Sequence, residues 1–338
     1  MNDIVHIALA ADHNYLPGLK ATLASMLLHS AGRGRLQFHV FADGLSADDM
    51  AEVRALAVDF GAKREIDFVI PDMSPIKAHF APYKHSHAAF LRLYICDFMA
   101  DLDWIVYSDV DVLWFRDVCD LWGERNPAVS IQWGKDLPSV AQGVSTGTDG
   151  REWREAIDPG RYACSGVALM NLARMRERRL PESCAAFAAK WGTPGFVDQD
   201  ILNYVLRDDA ALLDQRWDCM NPDCAAPRGV VVHCNGCGRL FNGPYESWRP
   251  LYNIWLSFYF RNILGREYRI SRIKRILFLL ASVFCPFGRA ARLPAFIFGA
   301  HRCDNFRRTV FFAWLRTRLP KPVKPIAGTE KNQGGDSL

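Results

Sequence analysis

The stretch "VYSDVDVLWF", residues 106–115, sets two carboxylates, Asp109 and Asp111, one residue apart inside an apolar run. Like charges aimed toward a core are costly unless an opposite charge joins them. In a strand, residues i and i+2 share a face, so at its C-terminal end both side chains reach one point. There they repel unless a cation lies between them. A hard divalent ion that takes oxygen ligands, Mg²⁺ or Mn²⁺, fits, and such an ion can also hold a diphosphate. Read alone, the pair is equally a strand end facing water or a turn cap. A second stretch, "HCNGCGRL", begins with His233, a third candidate ligand. Gly236 and Gly238 then let backbone N–H groups approach phosphate oxygens, and Arg239 neutralises those oxygens. A third, "DQDILN", puts Asp198 and Asp200 at the start of an apolar helix, where capping is the alternative role.

Elements must carry these groups to one place. "DIVHIALAAD" (3–12) and "LQFHVFAD" (36–43) read as buried strands, and "EIDFVIP" (65–71) as a third. "LPGLKATLASMLLHS" (16–30) has helical periodicity with Pro17 near its start. "SADDMAEVRALAVDF" (46–60) is a helix with Ser46 as its N-cap. "AAFLRLYICDFMA" (88–100) is predicted as a helix, and "WIVYSDVDVLW" (104–114) as one strand carrying the acidic pair. "RYACSGVALMNL" (161–172) is strand or turn, "FVDQDILNYVL" (196–206) opens a helix, and "GVVVHCNGCGRLFNG" (229–243) is a short strand running into a glycine-rich loop. Strands alternating with helices predict an open α/β sheet with ligands at the strand ends.

Half of the 338 residues are hydrophobic, enough for a sizeable core. The start, "MNDIVHIALAADHNY", reads at once as a strand without a basic leader, so no signal peptide is expected. The net charge of +4 hides an asymmetry: Arg261–Lys324 holds fifteen basic residues against Glu267 and Asp304, leaving −9 for the rest. That tail mixes arginines with Phe, Leu and Ile. Its longest apolar stretch, Ile276–Phe287, is far short of the ~20 residues of a spanning helix. Amphipathic cationic segments favour an anionic bilayer surface; the alternatives are a basic cap packed on the acidic body or a nucleic-acid patch. "AGTEKNQGGDSL" at the end is predicted disordered. The ten cysteines lack disulfide-framework spacing, which fits a reducing cytoplasm. Cys219, Cys224, Cys234 and Cys237 loosely resemble a zinc-ribbon count, the basis of a rival reading as a zinc-containing nucleic-acid-binding module.

Six motifs, in order, resemble those of the retaining glycosyltransferases of family 8, which include bacterial lipopolysaccharide α-galactosyl- and α-glucosyltransferases and the glycogenins. The resemblance runs from about residue 4 to 245. "AADHNY" (10–15) resembles the family's "AAD-x-NY", "FLRLYICDFM" (90–99) its "Y-x-R-L" helix, and "YSDVDVL" (107–113) its "Y-L-D-x-D-x-L". "SGVALMNL" (165–172) and "DQDILN" (198–203) follow, and "HCNGCGRLF" (233–241) resembles "H-(F/Y)-x-G-x-x-K-P-W". The resemblance implies Ala10, Asp12 and Asn14 at the uridine with Tyr15 stacked on the base, and Gly236 and Arg239 at the diphosphate. It implies Asp109, Asp111 and His233 as metal ligands, and Arg92, Asp198 and Gln199 at the reacting sugar. Three departures stand out: Cys164 where many members have Asn, Gln132 near an acceptor-binding Asp of some members, and Arg239 for Lys.

The expectation is therefore an α/β, GT-A-like single nucleotide-binding domain over 1–250, with a central mostly parallel sheet flanked by helices. A basic, aromatic, helical membrane-association segment would cover 251–325 and a disordered tail 326–338. The implied activity is retaining, Mn²⁺- or Mg²⁺-dependent transfer of galactose or glucose from a UDP-sugar to a lipopolysaccharide core or similar lipid-linked saccharide. The site of action would be the inner face of the cytoplasmic membrane, on an anionic surface and without nucleic acid. A self-glucosylating, glycogenin-like transferase is the alternative enzyme.

Overall fold

The first strand, β1 (Val5–Asp12), shows how the sheet is built. Val5, Ile7, Leu9 and Ala11 face one apolar cluster, and Ala8 faces another, so both sides are covered. Burying a side chain such as Ile7 or Leu9 contributes about 1.5–3 kcal/mol. β1 pairs in parallel along its length with β2 (Leu36–Asp43), which pairs with β3 (Asp67–Val69). On its other edge β1 pairs in parallel with β4 (Trp104–Ser108), in the register Leu9↔Ser108. The sheet continues through β7 (Ala163–Asn171), antiparallel to β4, then β6 (Ile131–Lys135) and β8 (Ala210–Leu213), in the order β3-β2-β1-β4-β7-β6-β8. A second, two-stranded sheet pairs β5 (Val112–Trp114) antiparallel with β9 (Val231–His233), placing Val112 opposite His233. This computed structural model describes residues 3–82, 86–136, 141, 143, 144, 152–219 and 230–233. All of them belong to one unit, Met1–Gly238.

Helices Leu16–His29 and Ala47–Asp59 cover one face, and Leu180–Trp191 and Val197–Val205 pack against the other. Ser46 caps the second of these in a reciprocal box, its hydroxyl accepting from Asp49 N–H while the Asp49 carboxylate accepts from Ser46 N–H. The sheet is thus α/β and mostly parallel, with β7 as its antiparallel member.

Two expectations are corrected, and two strands are added. The acidic pair is not in a strand: the chain leaves the main sheet after Ser108, turns through Asp109–Asp111, and starts β5 in the smaller sheet. Residues 88–100 are not one helix but a 3₁₀ segment, Ala88–Leu93, followed by a single helical turn, Ile95–Phe98. The tighter geometry points Arg92, 6% exposed, inward. Strands β6 and β8 escape sequence reasoning. β6, "IQWGK", is short and interrupted by Gly134, and β8, "AALL", has helix-forming composition that pairing with β6 overrides. The 250 boundary, the basic segment and the tail lie outside the described residues.

Candidate active site

The acidic turn is held by backbone from β7, since Asp109 N–H donates to Gly166 O at 2.7 Å. Arg92 is the cation at its centre. Its Nη2 donates to Asp109 Oδ1 at 2.6 Å and its Nη1 to Ser165 O at 2.7 Å and Ser165 Oγ at 2.9 Å. Its Nε lies 3.1 Å from Asp198 Oδ2, and its guanidinium stacks over the Tyr107 ring. Tyr107 donates its hydroxyl to Asp109 Oδ1 at 2.9 Å, and Ser165 Oγ donates to Asp198 Oδ2 at 2.9 Å. Asp198 is therefore joined to the acidic turn through one buried arginine rather than used as a helix cap. Asp200 takes the capping role: it accepts from Phe196 N–H at 3.0 Å and from the Tyr162 hydroxyl at 2.7 Å.

Gln199 is locked from both sides of its amide. Its Nε2 donates to Asp136 Oδ2 at 2.7 Å and to the Tyr162 hydroxyl oxygen at 3.0 Å, while its Oε1 accepts from Ser165 N–H at 3.3 Å. The residue that starts this helix, Val197, has φ 37°, a left-handed conformation that is strained for a β-branched residue. The strain sits directly before Asp198 and Gln199.

His233 comes from the end of β9. Its Nε2 lies 3.4 Å from Asp111 Oδ1 and 3.9 Å from Asp109 Oδ2. Its Nδ1 lies 2.9 Å from Asp218 Oδ1, which fixes the ring so that Nε2 faces the acidic turn. Two glycines make these approaches possible. A Cβ on Gly166 would sit 2.0 Å from His233 Cε1, and one on Gly134 2.2 Å from Asp218 Cβ. One donor atom each from Asp109, Asp111 and His233 lies within 4.8 Å of the others. Two carboxylates and an imidazole at that spacing fit a divalent ion such as Mn²⁺ or Mg²⁺.

The charge balance agrees. Burial pushes the Asp109 carboxyl upward and Asp111 adds to it, although Arg92 opposes both. Burial likewise raises Asp198 to about 6, with Arg92 opposing and Asp109 reinforcing. Asp111 is held below its ordinary value because hydrogen bonding and attraction from His233 overcome burial. Burial works against a charged His233, but Cys164, Asp218 and Asp111 around it outweigh burial and hold its pKa well above the ordinary value. Carboxylates that repel one another around the one arginine and one imidazole that the described residues supply make a site suited to a further positive charge.

At the same end of the sheet, Ala10 lies one residue beyond the Leu9↔Ser108 pair and Asp12 ends β1 beside Asp43. Asp12 Oδ1 accepts from Tyr15 N–H at 3.1 Å and so shapes the 3₁₀ turn His13–Tyr15 that presents Asn14 and Tyr15. Contacts thus join Arg92, Asp109, Asp111, Asp198 and His233, with Gln199 reached through Ser165, while Ala10, Asp12, Asn14 and Tyr15 lie at the C-terminal end of β1 and in the turn that follows it. Gly236 and Arg239 lie outside the described residues, as do Cys224, Cys234 and Cys237. Gln132 holds a neighbouring loop, accepting from Asn126 N–H at 2.6 Å and donating to Glu124 O at 2.9 Å. Sequence reasoning missed Tyr107, Asp136, Tyr162 and Asp218. Tyr107 stood within the acidic motif, whereas the others are lone polar residues with no spacing signal.

An open, mostly parallel sheet with one antiparallel strand beside β4, and acids gathered where β4 ends, defines a GT-A glycosyltransferase fold. The chain belongs to glycosyl transferase family 8, whose family model matches residues 6–226. General stress protein A of Bacillus subtilis (strain 168) is 25% identical over 228 residues, covering 64% of this chain and 74% of that protein. Lipopolysaccharide glucosyltransferase WaaO of Escherichia coli (strain K12) is 27% identical over 233 residues, covering 64% of this chain and 63%, less than two thirds, of that one. The crystal structure of galactosyltransferase LgtC in complex with donor and acceptor sugar analogs has a TM-score of 0.62 at 19% identity, covering 80% of this chain and 99% of LgtC.

Proposed function

We propose that this chain transfers a hexose, galactose or glucose, from its UDP-sugar to a lipopolysaccharide core or similar glycolipid, with retention of the α configuration. The observation that carries the reading is the convergence of Asp109, Asp111 and His233 beside the Arg92–Asp198–Gln199 cluster in a family 8 chain. Asp109, Asp111 and His233 would hold Mn²⁺ or Mg²⁺, which supplies Lewis-acid stabilisation of a departing diphosphate. Tyr15 stacks on the base, and Ala10, Asp12 and Asn14 border the nucleoside. Arg92 keeps Asp109 and Asp198 in place, so the carboxylates need not reorganise as charge develops. Gln199, pinned by Asp136, Tyr162 and Ser165, offers its amide dipole to a sugar carbon that becomes cationic, and Asp198 holds Arg92 and Ser165 beside it. By the family's motif, Gly236 and Arg239 would serve the diphosphate.

The lipopolysaccharide reading is supported by WaaO, and the basic aromatic sequence of 251–325 supports attachment to an anionic membrane surface at the cytoplasmic face. Among the described residues, no helix is long and apolar enough to cross a membrane. The test is UDP release and product formation by purified full-length protein with a panel of UDP-sugars, with and without Mn²⁺, beside lipid-linked and soluble saccharide acceptors. Turnover of UDP-galactose or UDP-glucose that needs added divalent ion is expected; absence of turnover with every UDP-hexose overturns the reading. Co-sedimentation with vesicles containing phosphatidylglycerol at low and high salt tests the membrane proposal, with binding at low salt expected and none at either salt overturning it.

A further inference from the structure

His233 has two faces, and only one meets the acidic turn. On the other, Nδ1 lies 2.9 Å from Asp218 Oδ1 and 3.5 Å from Cys164 Sγ. The three donor atoms fall within 4.8 Å of one another, and all three residues are buried. Asp218 Oδ2 is itself buried and has no hydrogen-bond partner. We propose that Cys164, Asp218 and His233 Nδ1 form a second, inner cation site for a thiophilic divalent metal, Zn²⁺ or Cd²⁺, back to back with the oxygen-rich set at Nε2.

The chemistry separates the two sites. A thiolate, a carboxylate and an imidazole are three of the four donors of a tetrahedral zinc, with bonds of about 2.0–2.3 Å and a water as the fourth ligand. Those lengths imply donor–donor edges of roughly 3.4–3.6 Å at a tetrahedral metal. The Cys164–His233 separation of 3.5 Å already matches, and the Asp218–His233 contact of 2.9 Å must open by about half an ångström. The sulfur ligand disfavours Mg²⁺ and Mn²⁺, whereas the Asp109–Asp111 side, rich in oxygen, suits them. The incoming cation displaces the Cys164 thiol proton and the Nδ1 proton of His233 to solvent as the metal–sulfur and metal–nitrogen bonds form. Asp218 is seated against the Gly134 backbone and His233 against that of Gly166, so two of the donors are preplaced.

Filling the inner site has a consequence that rests on His233 being an outer ligand. When Nδ1 carries a metal, a neutral ring keeps its proton on Nε2. That N–H faces Asp111 and donates to it, so no lone pair remains for an outer ion. A thiophilic cation therefore antagonises Mn²⁺.

The test uses the full-length protein and its Cys164→Ser and Asp218→Asn variants, titrated with Cd²⁺ and followed by the ultraviolet thiolate-to-cadmium band and by calorimetry. Because other cysteines also bind cadmium, the readout is the difference from the parent. Loss of one equivalent of tight Cd²⁺ and its band in Cys164→Ser, with binding at least tenfold weaker in Asp218→Asn, is expected. The same Cd²⁺ stoichiometry, band and affinity in the parent and both variants overturns the proposal. Should Cys164→Ser fail to fold, Asp218→Asn, which keeps an acceptor for His233, decides alone. Mn²⁺ electron paramagnetic resonance then separates the inner site from the outer one. Cd²⁺ should displace Mn²⁺ from the parent and not from Cys164→Ser. Asp109→Asn should lose Mn²⁺ while keeping the Cys164-dependent cadmium band; if it keeps Mn²⁺ as well, the outer assignment fails and the inner site stands.

Discussion

Two clusters of acids and arginines among the described residues are balanced differently. Around Asp209, two arginines serve one carboxylate. Arg174 donates from Nη2 at 2.7 Å and from Nε at 2.9 Å, Arg178 Nε lies 3.1 Å away, and Ser130 donates its hydroxyl. Burial pushes Asp209 upward, yet these partners hold it below its ordinary value. At the end of β4 the ratio is inverted: Asp109, Asp111, Asp198 and Asp218 surround Arg92 and His233, and Asp109 and Asp198 are pushed up rather than down. The first cluster is complete and ties β8's approach to the helix Leu172–Glu177. Among the described residues the second is short of positive charge, which suits the cation proposed for it.

Breaking each cluster should therefore do different things. The largest effect expected is on chemistry: Asp111→Asn should lower sugar transfer about 10³-fold while shifting the melting temperature by no more than about 2 °C. Asp111 lies in a turn and meets only the histidine ring among the site's cations. Steady-state rates and thermal denaturation check this, and near-normal transfer would remove the metal assignment. Next, Asp209→Asn should destabilise the fold by about 1–2 kcal/mol, since the two arginines it strands are 33% and 45% exposed and stay hydrated. Transfer per folded molecule should stay within about twofold. Urea denaturation beside activity at low temperature tests it; a catalytic defect without lost stability would erase the contrast between the clusters.

Smaller effects sharpen the division within the site. Gln199→Ala should lower kcat by about tenfold or more with UDP affinity unchanged, because its amide is held for the sugar end. Tyr15→Ala should instead weaken UDP and UDP-sugar alike by about tenfold, since it touches the base. Equal losses of UDP affinity in both variants would refute the separation. The smallest effect concerns the opposite end of β1, where His6 Nδ1 lies 3.0 Å from His39 Nε2, and His39 Nδ1 lies 3.0 Å from Asp67. Burial, then repulsion from His39, lowers His6 from its ordinary 6.5 to about 4. The folded state thus favours neutral His6, so its contribution is fully present above pH 6.5 and is lost as pH falls toward 4. With His6 half-exposed, the loss should be about 1–2 kcal/mol. His6→Gln should flatten the fall in stability between about pH 7 and pH 4.5 measured by urea denaturation; an unchanged slope would assign it to other groups.

Much of this was legible in residue order because it is local. Near-continuous apolar runs in 5–12 and 36–43 mark strands buried on both faces, Ser46 and Asp49 spell their own cap, and Asp109, Asp111, Asp198 and Gln199 stand in motifs inside the stretch that the family model matches. What the order of residues could not decide is which groups share a cavity. Asp218 lies fifteen positions before His233, and Cys164 sixty-nine, yet both touch its ring. Gly134 and Gly166 look like ordinary strand glycines until their missing side chains prove to be the space that Asp218 and His233 occupy. The break after Ser108, which swings the acidic pair out of the main sheet, follows from β5 pairing with β9 more than a hundred residues later. Periodicity and motif are properties of neighbours along the chain, and residue order is enough to determine them. Charge balance, ring orientation and close approach depend on separations in space, and only the packed sheet sets those.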